Sequence, residues 1–80
     1  MGAKADQIWL REKRFNYLPQ QFVWRGVTHR VHKVERAWSA PATRQLSPRH
    51  YFRVRCLDDR VYQIFQDVRL NAWFVERSRL

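Results

Sequence analysis

Residues Tyr51 to Cys56 read Y-F-R-V-R-C, an unbroken alternation that puts Phe52, Val54 and Cys56 on one side of an extended chain and Tyr51, Arg53 and Arg55 on the other. A period of two is incompatible with a helix, whose apolar stripe repeats every 3.6 residues. Asp58-Asp59-Arg60 makes a tight turn into VYQIFQ, residues 61–66, and DVRLN turns again into AWFVER, residues 72–77. The C-terminal half therefore reads as a three-stranded meander.

The N-terminal half carries weaker signals of the same kind. Phe22, Val23 and Trp24 lead into Arg25-Gly26, and β-branched Val27 and Thr28 follow, the pattern of a hairpin whose turn needs positive φ at glycine. Val27, Val31, Val34 and Trp38 also fit a helical stripe. A long strand with a bulge between Val31 and Val34 is preferred, because Val, Thr and His are mediocre helix formers and a bulge restores the inward phase. Gln7 to Glu12 reads as a first strand, with a helix capped by Asp6 and carrying Ile8, Glu12 and Phe15 on one face as the open alternative for residues 7–16. KRFNYLPQ, with Pro19, reads as a connection, residues 39–50 with their two prolines as the one long loop, and residues 1–6 as a disordered leader.

Eighty residues support one core, so residues 1–80 are expected to form a single domain. Apolar residues make up 45% and aromatics 15% of the chain, enough to fold. The expected fold is all-β, either a small strongly twisted antiparallel sheet or an SH3-like or OB-like barrel of five to six strands, in which closure removes aggregation-prone edges. Phe22, Val31, Val34, Phe52, Val54, Tyr62, Ile64, Trp73, Val75 and Trp38 form the expected core, with Trp24 also read as buried.

The segment Phe22–Trp38, with its W-R-G turn, and the blocks Y-x-I-F-x-D (Tyr62–Asp67) and W-F-x-E-R (Trp73–Arg77) resemble a small uncharacterised bacterial all-β domain family over roughly residues 7 to 80. That family is found alone or appended to catalytically degenerate, Y-family-polymerase-like mutagenesis proteins. The resemblance implies the architecture and a context of DNA repair or damage tolerance. His29 departs from the pattern where an aromatic hydroxyl is usual, and Asp58-Asp59 replaces a glycine-containing turn.

Catalytic equipment is sparse. Ser39, Ser47 and Ser78 lack a nucleophile-elbow context, and the adjacent carboxylates Asp58 and Asp59 read as hairpin formers. Cys56, the single cysteine, alternates with Phe52 and Val54 and reads as a small buried hydrophobe; it excludes an internal disulfide. His29 and His32 fall on opposite faces of a strand, so no metal site is expected, and no cofactor. The N-terminal stretch lacks a secretory apolar core, and no run approaches the roughly 18 apolar residues of a membrane span, so a cytoplasmic protein with no membrane partner is expected.

Charge carries the functional expectation. Sixteen Lys and Arg stand against seven Asp and Glu, a net +9, and thirteen of the sixteen are arginine, whose planar fork pairs with phosphate bidentately and stacks on bases. With Val31 and Val34 inward, Arg30 and Arg36 face outward; with Phe52 and Val54 inward, Arg53 and Arg55 face outward beside Tyr51. Lys33 and Arg60 extend the patch. Basic strands interleaved with an aromatic suit a phosphate backbone and its bases, so the expected role is a non-enzymatic nucleic-acid-binding module for single-stranded or distorted DNA. A merely solvated basic face is the competing reading. The functional alternative is a protein-interaction module that docks onto a DNA polymerase, repair protein or recombination factor through a strand edge or the 39–50 loop.

Overall fold

A computed structural model describes residues 5–15 and 17–76. Six strands follow one another: β1 (Ala5–Arg14), β2 (Leu18–Trp24), β3 (Val27–Ala40), β4 (Arg49–Cys56), β5 (Val61–Asp67) and β6 (Ala72–Glu76). Each lies antiparallel to its chain neighbour and β6 returns to β1, which closes the barrel. Among the described residues, closure leaves no strand as the outermost member of an open sheet. Among the described residues no helix is long and apolar enough to cross a membrane.

Two strands make the closure possible by serving two partners each. Along β1, Ala5–Ile8 pair with β6 and Trp9–Arg14 with β2. Along β3, Val27–Arg30 pair with β2 and Val31–Ala40 with β4. Each of these strands carries two register shifts: between Leu10/Glu12 and Glu12/Lys13 in β1, and between Val31/Lys33 and Val34/Arg36 in β3. An extra residue at such a point bends the strand and increases its twist, which is how a strand turns a barrel corner. The bulge expected after Val31 is one of these, and it leaves Val31 opposite Cys56 and Val34 opposite Val54.

The core holds Ile8, Phe22, Val31, Phe52, Val54, Cys56, Ile64, Trp73 and Val75, with Leu10, Leu18, Trp24, Val34 and Tyr62 packed against it. At one end His29 stacks on Phe22 at 5.1 Å and meets Tyr62 at 5.2 Å, while the Trp24 indole Nε1–H donates to Asp6 at 3.1 Å. Arg25 and Gly26 both have positive φ, 51° and 77°, the type I′ geometry that matches strand twist. Asp58 and Asp59 do form a turn: Asp59 has φ 70° and the Arg60 N–H donates to the Asp58 carboxylate at 3.0 Å.

Several boundaries differ from expectation. Residues 7–14 are strand, which resolves the helix alternative, and most of the expected connection 13–20 is strand as well. Pro19 lies within β2, fully buried and opposite Lys13, next to a register shift where the ladder is already interrupted and a missing N–H costs little. The long loop shortens to residues 41–48, because Ser39 and Ala40 pair with His50 and Arg49; Pro41 and Pro48 stand at its two limits. Its middle is pinned, with Thr43 Oγ1 accepting from the Leu46 N–H at 3.0 Å. Ala5 and Asp6, expected within a disordered leader, pair with Glu76 and Val75, while residues 1–4 of that leader and Arg77 of the W-F-x-E-R block lie outside the described residues. Trp38 leaves the expected core for the outer surface, because the second bulge re-phases β3 before it and sets it opposite Tyr51.

Phe22 has no exposed surface, and Phe→Ala in such a position costs about 3–5 kcal/mol, comparable to the whole stability of a small domain. Phe22→Ala is expected to lose the cooperative unfolding transition seen for the wild type in urea. Burial, reinforced by Asp58, pushes the Cys56 thiol up from 9.0 to about 11. The folded state thus resists a deprotonation that the unfolded chain undergoes, a contribution fully present below about pH 9 and lost as pH rises through about 11. Stability measured across that window is expected to decline more steeply for the wild type than for Cys56→Ala.

Candidate functional site

With Phe52, Val54, Ile64, Trp73 and Val75 turned inward, the alternate residues of β3–β6 face out, and the registers arrange them in rows that cross the strands. Trp38 is opposite Tyr51, Tyr51 opposite Phe65, and Phe65 opposite Phe74. The four rings form one continuous series, with centroid separations of 5.2, 5.3 and 5.2 Å. These spacings follow the roughly 4.8 Å between neighbouring strands. The outer pairs lie at 5° and 22°, so their ring faces are turned toward one another across the sheet.

Arginines border this aromatic row on both sides. On one side Arg36 stands directly opposite Arg53, followed by Gln63 and Glu76. On the other, Arg49 stands opposite Asp67. The Arg36 guanidinium lies over the Trp38 ring at 4.9 Å and that of Arg49 over Phe65 at 4.3 Å, while Arg49 Nη1 donates to the Tyr51 hydroxyl at 3.2 Å. Phe65 is only 3% exposed although it points outward. Its neighbours in the row and the arginine above it form a second, external layer of packing.

The expected site residues separate into two groups. Arg36, Arg53 and Tyr51 come together on adjacent strands, and among the described residues neither arginine makes an ion pair. Arg55 faces the same side but is committed: its Nε meets Glu35 at 2.8 Å and its Nη1 meets Asp59 at 3.3 Å, and the Glu35 hydrogen bond and charge raise its pKa above the ordinary value. Glu35 sits between Val34 and Arg36, at the second register shift of β3, an insertion that strict alternation does not place. Lys33 is opposite Arg55, one row further along. Arg60 lies on the β4–β5 turn beside Asp58 at 4.0 Å. Arg30 belongs to the part of β3 that pairs with β2, opposite Gln21, away from the Arg36–Arg53 pair.

Phe65, Phe74 and Arg49 were absent from the expected patch, although the phase that turns Ile64 and Trp73 inward already turns Phe65 and Phe74 outward. Their hydrophobicity hid them as surface residues. Ser39 Oγ lies 2.9 Å from His50 Nδ1, a hydroxyl–imidazole pair set by the end of the β3–β4 ladder. Among the described residues no further side-chain hydrogen bond reaches this pair. No group of three or more His, Cys, Asp and Glu side chains suited to a metal ion occurs among the described residues.

Compared with known proteins, residues 4–78 match the family model described as Domain of unknown function (DUF6504). No curated protein and no solved structure matches the chain.

Like charges directly opposite on neighbouring strands destabilise a sheet, typically by about 0.2–1 kcal/mol, and salt screens the repulsion. Arg53→Gln is therefore expected to raise stability at low ionic strength, with the gain shrinking as salt is added. Urea unfolding of both proteins at low and high salt checks it.

Proposed function

The chain belongs to the DUF6504 family, and for this member we propose a non-catalytic module that binds single-stranded nucleic acid through the outer face of β3–β6. The observation that carries the reading is the unneutralised Arg36–Arg53 pair beside a four-ring aromatic row. Two arginines at directly opposite positions on neighbouring strands repel in isolation, and a phosphate settling between them relieves the repulsion. Stacking on Trp38 orders the Arg36 guanidinium before any ligand arrives. Lys33 lies along the same strand and extends the cationic track. Arg55 contributes little, since Glu35 and Asp59 already hold it.

Contacts to phosphate position a strand without reading its sequence, so binding of broad sequence tolerance follows. The resemblance to domains appended to Y-family-polymerase-like mutagenesis proteins favours DNA, single-stranded or distorted, as the ligand and damage tolerance as the context.

Three phosphate contacts, from Arg36, Arg53 and Lys33, imply a slope of log K against log salt of roughly −2, taking about −0.7 per contact on a single strand. Fluorescence anisotropy with a labelled oligonucleotide is expected to give that slope, to lose binding in the double variant Arg36→Glu, Arg53→Glu, and to change little for Arg55→Gln. Absence of binding at low salt, or an affinity indifferent to salt, overturns the reading.

A further inference from the structure

The inner face of the barrel continues beyond its last packed layer. His50 lies two residues before Phe52 and Gln66 two residues after Ile64, so both keep the inward phase, at the mouth of the barrel beside the 41–48 loop. Register sets Ser39 next to His50 and His50 next to Gln66, which makes a short polar row across three strands. Lys13 and Tyr17, from the β1–β2 hairpin, stand on the other side of the mouth. Together with Trp38 and Tyr51 these residues enclose a cleft of about 320 Å³ with Phe52 at its base.

The composition of this cleft matches one kind of ligand. Phe52 contributes an apolar ring, itself stacked on Trp73 at 5.6 Å. Tyr17 is 60% exposed and has no aromatic partner among the described residues, so its ring face is open for stacking. Tyr51, which also borders the cleft, is stacked on Trp38 at 5° and tilted 43° against Phe65. The polar row offers the Ser39 hydroxyl and His50 imidazole, joined at 2.9 Å, and the oxygen of the Gln66 amide, whose Nε2 donates to Asn71 Oδ1 at 2.9 Å. A planar body with apolar faces and a hydrogen-bonding edge fits such a lining, and a cation at the rim, Lys13, favours an anionic attachment to it. Trp38 borders the cleft and carries the Arg36 guanidinium over its ring at 4.9 Å, which sets the rim of the cleft near the Arg36–Arg53 register pair.

We propose that this cleft takes one unstacked nucleobase from a strand whose phosphates follow Arg36 and Arg53, with Tyr17 as the stacking ring and Ser39, His50 and Gln66 meeting the base edge. The inference rests on the nucleic-acid reading above and adds a base-binding subsite to its phosphate track.

The test compares a fluorescein-labelled single strand of mixed sequence with the same strand made abasic at its central positions. Loss of a single base–aromatic stack weakens binding about 5- to 150-fold. The wild type is expected to prefer the intact strand by a factor in that range. Tyr17→Ala is expected to bind both strands at the level of the abasic one, and Tyr17→Phe to restore the preference. The His50 imidazole resonances are expected to shift with the intact strand only. Equal affinity of the wild type for both strands overturns the base subsite and leaves the phosphate track standing. A preference for the intact strand that survives Tyr17→Ala moves the stacking elsewhere and also overturns it. Failure of both strands to bind at low salt removes this inference together with the reading beneath it.

Discussion

Everything in this small domain depends on two strands bending far enough to serve two neighbours. If β1 and β3 ran straight, β6 would have no β1 segment to meet and the sheet would end in two exposed edges. The bulges near Leu10–Lys13 and Val31–Arg36 supply the bend. Each inserted residue adds twist while returning the following side chains to the core phase. Closure gives each described strand two neighbours, which β1 and β3 engage in successive segments along their length.

The same bulges organise the outer surface. By inserting a residue ahead of Arg36, the second shift in β3 brings that arginine opposite Arg53 and turns Trp38 out to meet Tyr51. It also delivers Glu35 to Arg55, which is thereby ion-paired, while Arg36 and Arg53 make no ion pair among the described residues. The result is a surface with a division of roles: Arg55, Glu35 and Asp59 form an ion-paired structural corner, and Arg36 and Arg53, unpaired among the described residues, stand beside stacked rings. A basic composition alone does not distinguish these two kinds of arginine.

The aromatic row has a structural role of its own. Packing on the outside of a barrel this small extends the apolar contact that the interior lacks room for, and the arginine stems and guanidinium groups of Arg36 and Arg49 cover the rings. The outer face therefore resembles a shallow second core with cationic borders, and the cleft at the barrel mouth lies where that layer meets the β1–β2 hairpin.

Strand phase was legible wherever alternation was strict: Phe52, Val54, Ile64, Trp73 and Val75 turn inward as their spacing requires, and the Arg25-Gly26 turn follows from glycine's tolerance of positive φ. The meeting of Arg36 with Arg53 was legible in outline, because both alternate with core residues on consecutive strands. Local sequence did not disclose the role of Pro19, the outward turn of Trp38, the capture of Arg55 by Glu35, or the approach of Tyr17 to Ser39 and His50. By itself the sequence determined which faces of the C-terminal strands are buried, since period-two spacing is a property of neighbouring residues. The tertiary structure alone decided which outward groups meet, because register across strands depends on the position of each bulge and on the closure that brings β1 back against β6.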